Sequence, residues 1–121
     1  GLLDDAQFAK ARAGGLNRRG SSARAIRAKL AEKGVAKEVI DETLERLKDE
    51  DQDPELSAAV TLARKRRLGP FRVTDDRLEF KEKDMAILAR AGFNYSVAQK
   101  IIAAETSDEL EEEVEKNMYG S

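Results

Sequence analysis

The sequence predicts an all-α protein made of tandem repeats of a three-helix module in an elongated arrangement. Three observations lead there. Charged residues make up 38% of the 121 positions and aromatics only 5%, so the core has to be thin and aliphatic. Ala, Leu, Glu, Lys and Arg lose little on entering a helix, which favours packed helices over sheets. Apolar residues recur at helical spacing between capping residues and glycines. The chain also repeats itself: Leu30-Ala31-x-x-Gly34-Val35 returns as Leu88-Ala89-x-x-Gly92-Phe93, and Val39 and Leu44 return at the same offset as Val97 and Ile102. Two copies of one supersecondary unit explain that better than chance.

The elements follow in order. Asp4 with Gln7 forms a capping box for a first helix, which the pair Gly14-Gly15 should end. Leu16 to Gly20 then reads as a basic loop. Ser21 or Ser22 caps a second helix with Ala23, Ile26 and Leu30 on its buried stripe, and Gly34 closes it. A third helix from about Ala36 to Lys48 carries Val39, Ile40, Thr43, Leu44 and Leu47 on one face. The run Asp49-Glu50-Asp51-Gln52-Asp53 reads as a solvated acidic linker. Asp53-Pro54 starts a fourth helix, with Asp as cap and Pro in the first turn, and Leu68-Gly69-Pro70 stops it. Residues 71–80 stay open between loop and helix, because Leu78 and Phe80 do not share a helical face. A fifth helix runs from about Lys83 to Ala91. Asn94 caps a sixth with Val97, Ala98, Ile101 and Ile102 buried, and Phe93 staples the turn before it, leaving Tyr95 at the surface. Thr106 and Glu109 form a capping box for a last helix. That helix has only Leu110 and Val114 to bury, so it should fray or lean on a neighbour. The expected organisation is a repeat at 1–48, a linker at 49–52, a repeat at 53–104 and an acidic tail or helix at 105–121.

The chain has neither Cys nor His. That removes disulfides, zinc sites and the nucleophile-histidine mechanisms. No enzyme chemistry and no cofactor is expected. No apolar run is long enough for a membrane span and no signal-peptide pattern opens the chain, so a cytoplasmic monomer is the expectation. The chain begins at Gly1-Leu2-Leu3 without Met, as a fragment would.

Net charge is -2, but its distribution is polar: nine bases against one acid from Lys10 to Lys37, and seven acids against one base from Glu105 to Lys116. Such asymmetry speaks to partners. The basic stretch offers a candidate anion reader, in which Arg18 and Arg19 precede the free amides of the second helix's first turn. On a helical wheel Arg24 and Arg27 share a flank and Lys29 falls opposite. Arg18, Arg19, Arg24 and Arg27 therefore make one candidate partner-binding patch. Arg64-Lys65-Arg66-Arg67 makes a second, at a helix C-terminus where basic residues also suit the dipole. The pairs Asp4-Asp5 and Asp75-Asp76 read as helix caps rather than metal ligands. Gly14-Gly15-x-x-x-x-Gly20-Ser21 lacks the Lys and the preceding strand of a nucleotide-binding loop.

These residues also resemble a family. Gly1-Leu2-Leu3-Asp4-Asp5-Ala6-Gln7-Phe8 is similar to the Gly-Tyr/Leu-Leu-Asp-Asp-x-x-Phe segment of the RecX regulatory proteins. Arg18-Arg19-Gly20-Ser21 through Ile26-Arg27-x-x-Leu30-x-x-Lys33-Gly34-Val35 resembles their second repeat, and Ala89-Arg90-Ala91-Gly92-Phe93-x-Tyr95-x-Val97 the end of their third. The resemblance implies tandem three-helix repeats, binding to the RecA recombinase filament with its single-stranded DNA, and inhibition of recombination, DNA repair and ATP hydrolysis by RecA, within the SOS response. The family's first repeat has no counterpart in this chain. The alternative from the residues themselves is direct DNA binding by helix-turn-helix-like modules.

Overall fold

The computed structural model describes residues 5–120. They form seven α-helices and no strand: α1 (Asp5–Arg18), α2 (Ala23–Glu32), α3 (Lys37–Arg46), α4 (Pro54–Arg66), α5 (Lys81–Arg90), α6 (Tyr95–Ala103) and α7 (Ser107–Tyr119). Short 3-10 turns at Leu47–Asp49 and Gly69–Phe71 follow α3 and α4. The fold is all-α with tandem three-helix modules, as the sequence predicts.

Each module closes its own aliphatic core. In the first, Ala9, Ala13 and Leu16 of α1 meet Ile26 and Leu30 of α2, Val35, and Ile40 of α3. In the second, Leu56, Ala59, Val60 and Ala63 of α4 meet Leu88 of α5, Phe93, and Ala98, Ile101 and Ile102 of α6. The repeat is visible in the turns. Gly34 and Gly92 both take positive φ, 85° and 101°, at the ends of α2 and α5. Val35 N donates to Leu30 O and Phe93 N to Leu88 O, at 3.0 and 3.1 Å. A left-handed residue here lets the chain satisfy the last carbonyls and drop an apolar side chain back into the core.

Four caps form as expected: Ser22 accepts from Ala25 N, Asp53 from Leu56 N, Asn94 from Val97 N and Thr106 from Glu109 N. The Asp4–Gln7 box lies outside the described residues. Phe93 is buried and Tyr95 is exposed. The last helix leans on a neighbour: α7 packs Leu110 onto the second core, with Val114 beside it. Gln52 N reaches Asn117 O at 3.0 Å.

Two expectations are corrected. First, α1 does not stop at Gly14-Gly15 but runs to Arg18. Each glycine costs a helix about 1 kcal/mol against Ala. The buried stripe Ala9, Ala13, Leu16 carries the helix across, since Leu16 lies beyond both glycines. The turn comes at Gly20, where φ is 98°. Second, the 49–53 run is solvated only in part, at Asp49, Glu50 and Gln52. Asp51 is buried and accepts from Ser57 Oγ at 2.6 Å and from Asp53 N at 2.9 Å. Residues 72–80, which the sequence left open between loop and helix, form a chain of bends and turns.

The modules meet along a mostly polar seam. Asn17 Nδ2 donates to Pro54 O at 3.0 Å, and Ser22 Oγ donates to Ala91 O at 2.8 Å. Gly20 lies against the α4 backbone so closely that a Cβ there would sit 3.1 Å from Leu62 N.

Candidate partner-binding surface

The eight basic residues singled out by sequence fall into groups that the fold treats differently. Arg18 closes α1, and its guanidinium folds back along the helix, 3.2 Å from where a Gly14 Cβ would lie. Arg19 follows it, exposed, with its guanidinium over Gly15. Lys65 Nζ of α4 donates to Arg19 O at 2.9 Å, which brings the second basic tract against the first. Arg24, in the first turn of α2, is exposed and lies beside Gly92 at the end of α5. Arg66 and Arg67 end α4 exposed, with Arg67 itself in the left-handed region at φ 57°. None of these six makes an ion pair among the described residues.

The other two are partnered within the chain. Arg27 pairs with Asp41 of α3 at 2.8 Å. Lys37 approaches the same carboxylate at 3.1 Å. The hydrogen bond from Arg27 and then that from Lys37 hold the Asp41 carboxyl below its ordinary range. Arg64 forks onto Glu111 of α7 through Nε at 3.0 Å and Nη2 at 2.8 Å. Both pairs lie at the surface, where such contacts contribute little and exchange readily. Lys100 of α6 joins α7 in the same way through Glu113. The acidic helix therefore rests on α4 and α6 through charge as well as through Leu110.

The anion reader expected at the start of α2 is already filled by the chain. Ala23 N donates to Glu55 Oε1 of α4 at 2.8 Å, and Ala25 N to Ser22 Oγ at 3.1 Å. A carboxylate is what a helix N-terminus attracts. Here it serves the contact between modules, leaving those amides no role toward an outside anion. Burial pushes the Glu55 carboxyl above its ordinary range, against the opposing pull of the Ala23 amide.

Sequence reasoning missed a second polar cluster. Asp84 of α5 is fully buried. It accepts from Gly69 N at 2.9 Å and from Arg72 Nε and Nη2 at 2.9 and 2.8 Å. Burial alone would raise its carboxyl, but Arg72 and the Gly69 amide outweigh it and hold the group below the usual carboxylate range. Asp76 stands 3.6 Å from the same guanidinium, which also lies 4.3 Å from the Phe80 ring centroid. Arg77 caps the C-terminal end of α6 by donating to the carbonyls of Ile102, Ala104 and Glu105. The signal was available: at the offset that pairs Leu30 with Leu88, core residue Ile26 falls opposite Asp84.

Among the described residues no group of three or more His, Cys, Asp or Glu is placed to hold a metal ion. No described helix is long and apolar enough to cross a membrane.

These features define a tandem three-helix repeat protein with free basic side chains gathered where its modules meet. Residues 4–44 match the family model of the RecX second three-helix domain. The chain is 44% identical over 108 residues to the regulatory protein RecX of Myxococcus xanthus, covering 84% of this chain and 54% of that protein. It is 36% identical over 106 residues to the regulatory protein RecX of Agrobacterium fabrum, covering 88% and 54%. The chain belongs to the RecX family. It spans about half the length of the curated relatives it matches. No solved structure matches it.

Proposed function

We propose that this chain binds RecA recombinase filaments and modulates RecA, most directly by inhibiting recombination, DNA repair and RecA's ATP hydrolysis, with no catalysis of its own. The observation that carries the reading is the junction of the modules. There Arg19, Arg24 and Lys65, from three different elements, lie free of acidic partners in the described chain. Arg18, Arg66 and Arg67 extend the basic surface along α1 and α4, while Arg27 and Arg64 can trade their internal carboxylates for a partner's. Repeated helical modules suit an extended periodic partner, because successive modules can each touch it. The proposed organisation keeps 1–48 and 53–104 as the family's second and third repeats.

The test is co-sedimentation of the chain with RecA filaments formed on single-stranded DNA, with the naked strand as control. Filament binding should exceed binding to naked DNA. It should weaken when Arg18, Arg19, Arg24 and Arg27 are changed to Ala, with helicity retained. Equal affinity for filament and naked strand at moderate salt would instead identify a direct DNA-binding protein. Both interactions weaken with salt, so competition decides where salt slope does not.

A further inference from the structure

The first helices of the two modules end alike. Aligned on their core residues, Ala9, Ala13 and Leu16 of α1 fall opposite Leu56, Val60 and Ala63 of α4. Arg18-Arg19-Gly20 then falls opposite Lys65-Arg66-Arg67. The geometry repeats as well. Ser21 N donates to Leu16 O and Leu68 N to Ala63 O, both at 2.9 Å. In each case the residue before the donor is left-handed, Gly20 at φ 98° and Arg67 at φ 57°. Glycine is the usual residue for such a helix stop. Lys65 Nζ on Arg19 O ties the two helix ends together at 2.9 Å.

Arg67 is the exception. Among the described residues it alone has positive φ without being glycine, and an L side chain there carries a backbone cost that glycine escapes. Packing does not require it. An added Cβ at Gly20 would press on Leu62 N at 3.1 Å, whereas the Arg67 side chain stands exposed. No carboxylate of the described chain holds it either. Arg64 takes Glu111, and Arg72 takes Asp76 and Asp84, but Arg67 makes no ion pair among the described residues. Residues kept in a sparsely populated backbone conformation concentrate at ligand clamps and switch regions.

We propose that Arg67 is an anchor of the partner interface, kept left-handed at a cost in stability, and that its guanidinium takes a carboxylate on the protein component of the filament. This rests on the filament reading above and gives one residue of the second basic tract a role of its own. A guanidinium can fork onto a carboxylate, as Arg64 does with Glu111 one turn earlier. Phosphate is the weaker match. The α7 helix that rests on α4 carries six carboxylates against one base, Lys116. A polyphosphate strand laid along this end of α4 would meet that field over its length, whereas a carboxylate on a mixed-charge protein surface meets it once.

The experiment compares the parent chain with Arg67→Gly, which copies the first module. Melting is followed by circular dichroism, and binding by co-sedimentation with RecA filaments on single-stranded DNA and with the naked strand. Relief of the left-handed side chain should raise the melting temperature by a few degrees. Filament affinity should nevertheless fall by about tenfold, as for removal of an interface anchor, with a smaller loss on naked strand. The opposite signs separate a binding residue from a structural one. A lowered melting temperature gives the side chain a role in the fold and overturns the anchor. Undiminished filament binding by the variant also overturns the anchor and leaves the filament reading standing. An equal loss on naked strand overturns the carboxylate in favour of phosphate. Failure of the parent chain itself to bind filaments overturns the filament reading, and the anchor falls with it.

Discussion

Ile26 and Asp84 occupy the same position in the two modules, and both are fully buried. In the first module that position is an ordinary core contact. In the second it is a carboxylate that fixes Gly69 and Arg72. One substitution at a repeated position thus accompanies the long connection that distinguishes the second module from the first.

Removing the carboxylate should test that pairing. Asp84→Ala leaves a cavity, an orphaned Gly69 amide and an unpaired guanidinium, and should cost on the order of 3 kcal/mol. Asp84→Ile copies the residue of the first module and leaves no cavity, but it strands the same amide and guanidinium and should cost a comparable amount. The acid limb should follow the same group. Its folded carboxyl is held below the ordinary Asp value of about 3.9, so its contribution is complete above that value and is lost as pH falls through the lowered one. Thermal melts between neutral and strongly acid pH should show Asp84→Ile losing less stability on acidification than the parent. Equal acid sensitivity would exclude Asp84 as a contributor.

Glu55 should behave with the opposite sign. Burial raises its folded carboxyl above the unfolded one, so folding is favoured below the ordinary Glu value and loses that advantage as pH rises through the raised value. Glu55→Gln mimics the neutral group and can still accept from Ala23 N. Its melting temperature relative to the parent should therefore increase from pH 4 to pH 7. A constant difference across that range would contradict the assignment.

The repeated glycines offer a paired comparison. Gly34→Ala meets only the left-handed backbone cost, about 1–2 kcal/mol, because nothing lies within 4 Å of the added Cβ. Gly92→Ala meets the same cost, and its Cβ would fall 2.3 Å from Ser22 Oγ. Ser22 would have to move, surrendering its bonds to Ala91 O and Ala25 N. Denaturant titrations should rank Gly92→Ala as clearly the more damaging. Equal losses would mean that the seam yields freely.

The acidic helix should bias the chain away from bare nucleic acid. Deleting it would strip Leu110 from the second core, so neutralisation is the cleaner change. Glu112→Gln with Glu115→Gln alters exposed residues of α7 and should leave melting nearly intact. Affinity for naked single-stranded DNA should rise, and by more than affinity for RecA filaments. No change in either would confine these carboxylates to solvation.

Much of the fold was legible because it rests on local rules. Ser22, Asp53, Asn94 and Thr106 cap helices wherever they precede an apolar stripe, and Gly34 and Gly92 end them. The end of α1 was not legible. Gly14-Gly15 carries a local signal to stop, and only packing of Leu16 against another helix overrides it. The basic residues could be found by composition. Which were free could not, since Asp41 and Glu111 reach Arg27 and Arg64 from other helices. Glu55 was invisible as the occupant of the α2 N-terminus for the same reason: thirty-two positions separate it from Ala23. The partner-binding role of these residues rests on the experiments above.

The seam between the modules is written in residues from both sides: Glu55 closes a helix of the other module, Ser22 reaches Ala91, and Gly20 and Gly92 leave room for the approach. Such a seam makes the halves poor candidates for shuffling. A module cut out and joined to a different neighbour would arrive with an unanswered amide, a stranded hydroxyl and a groove shaped for a backbone no longer there. The angle between the repeats is accordingly inherited as a unit, and a variant that altered it would have to change both halves together.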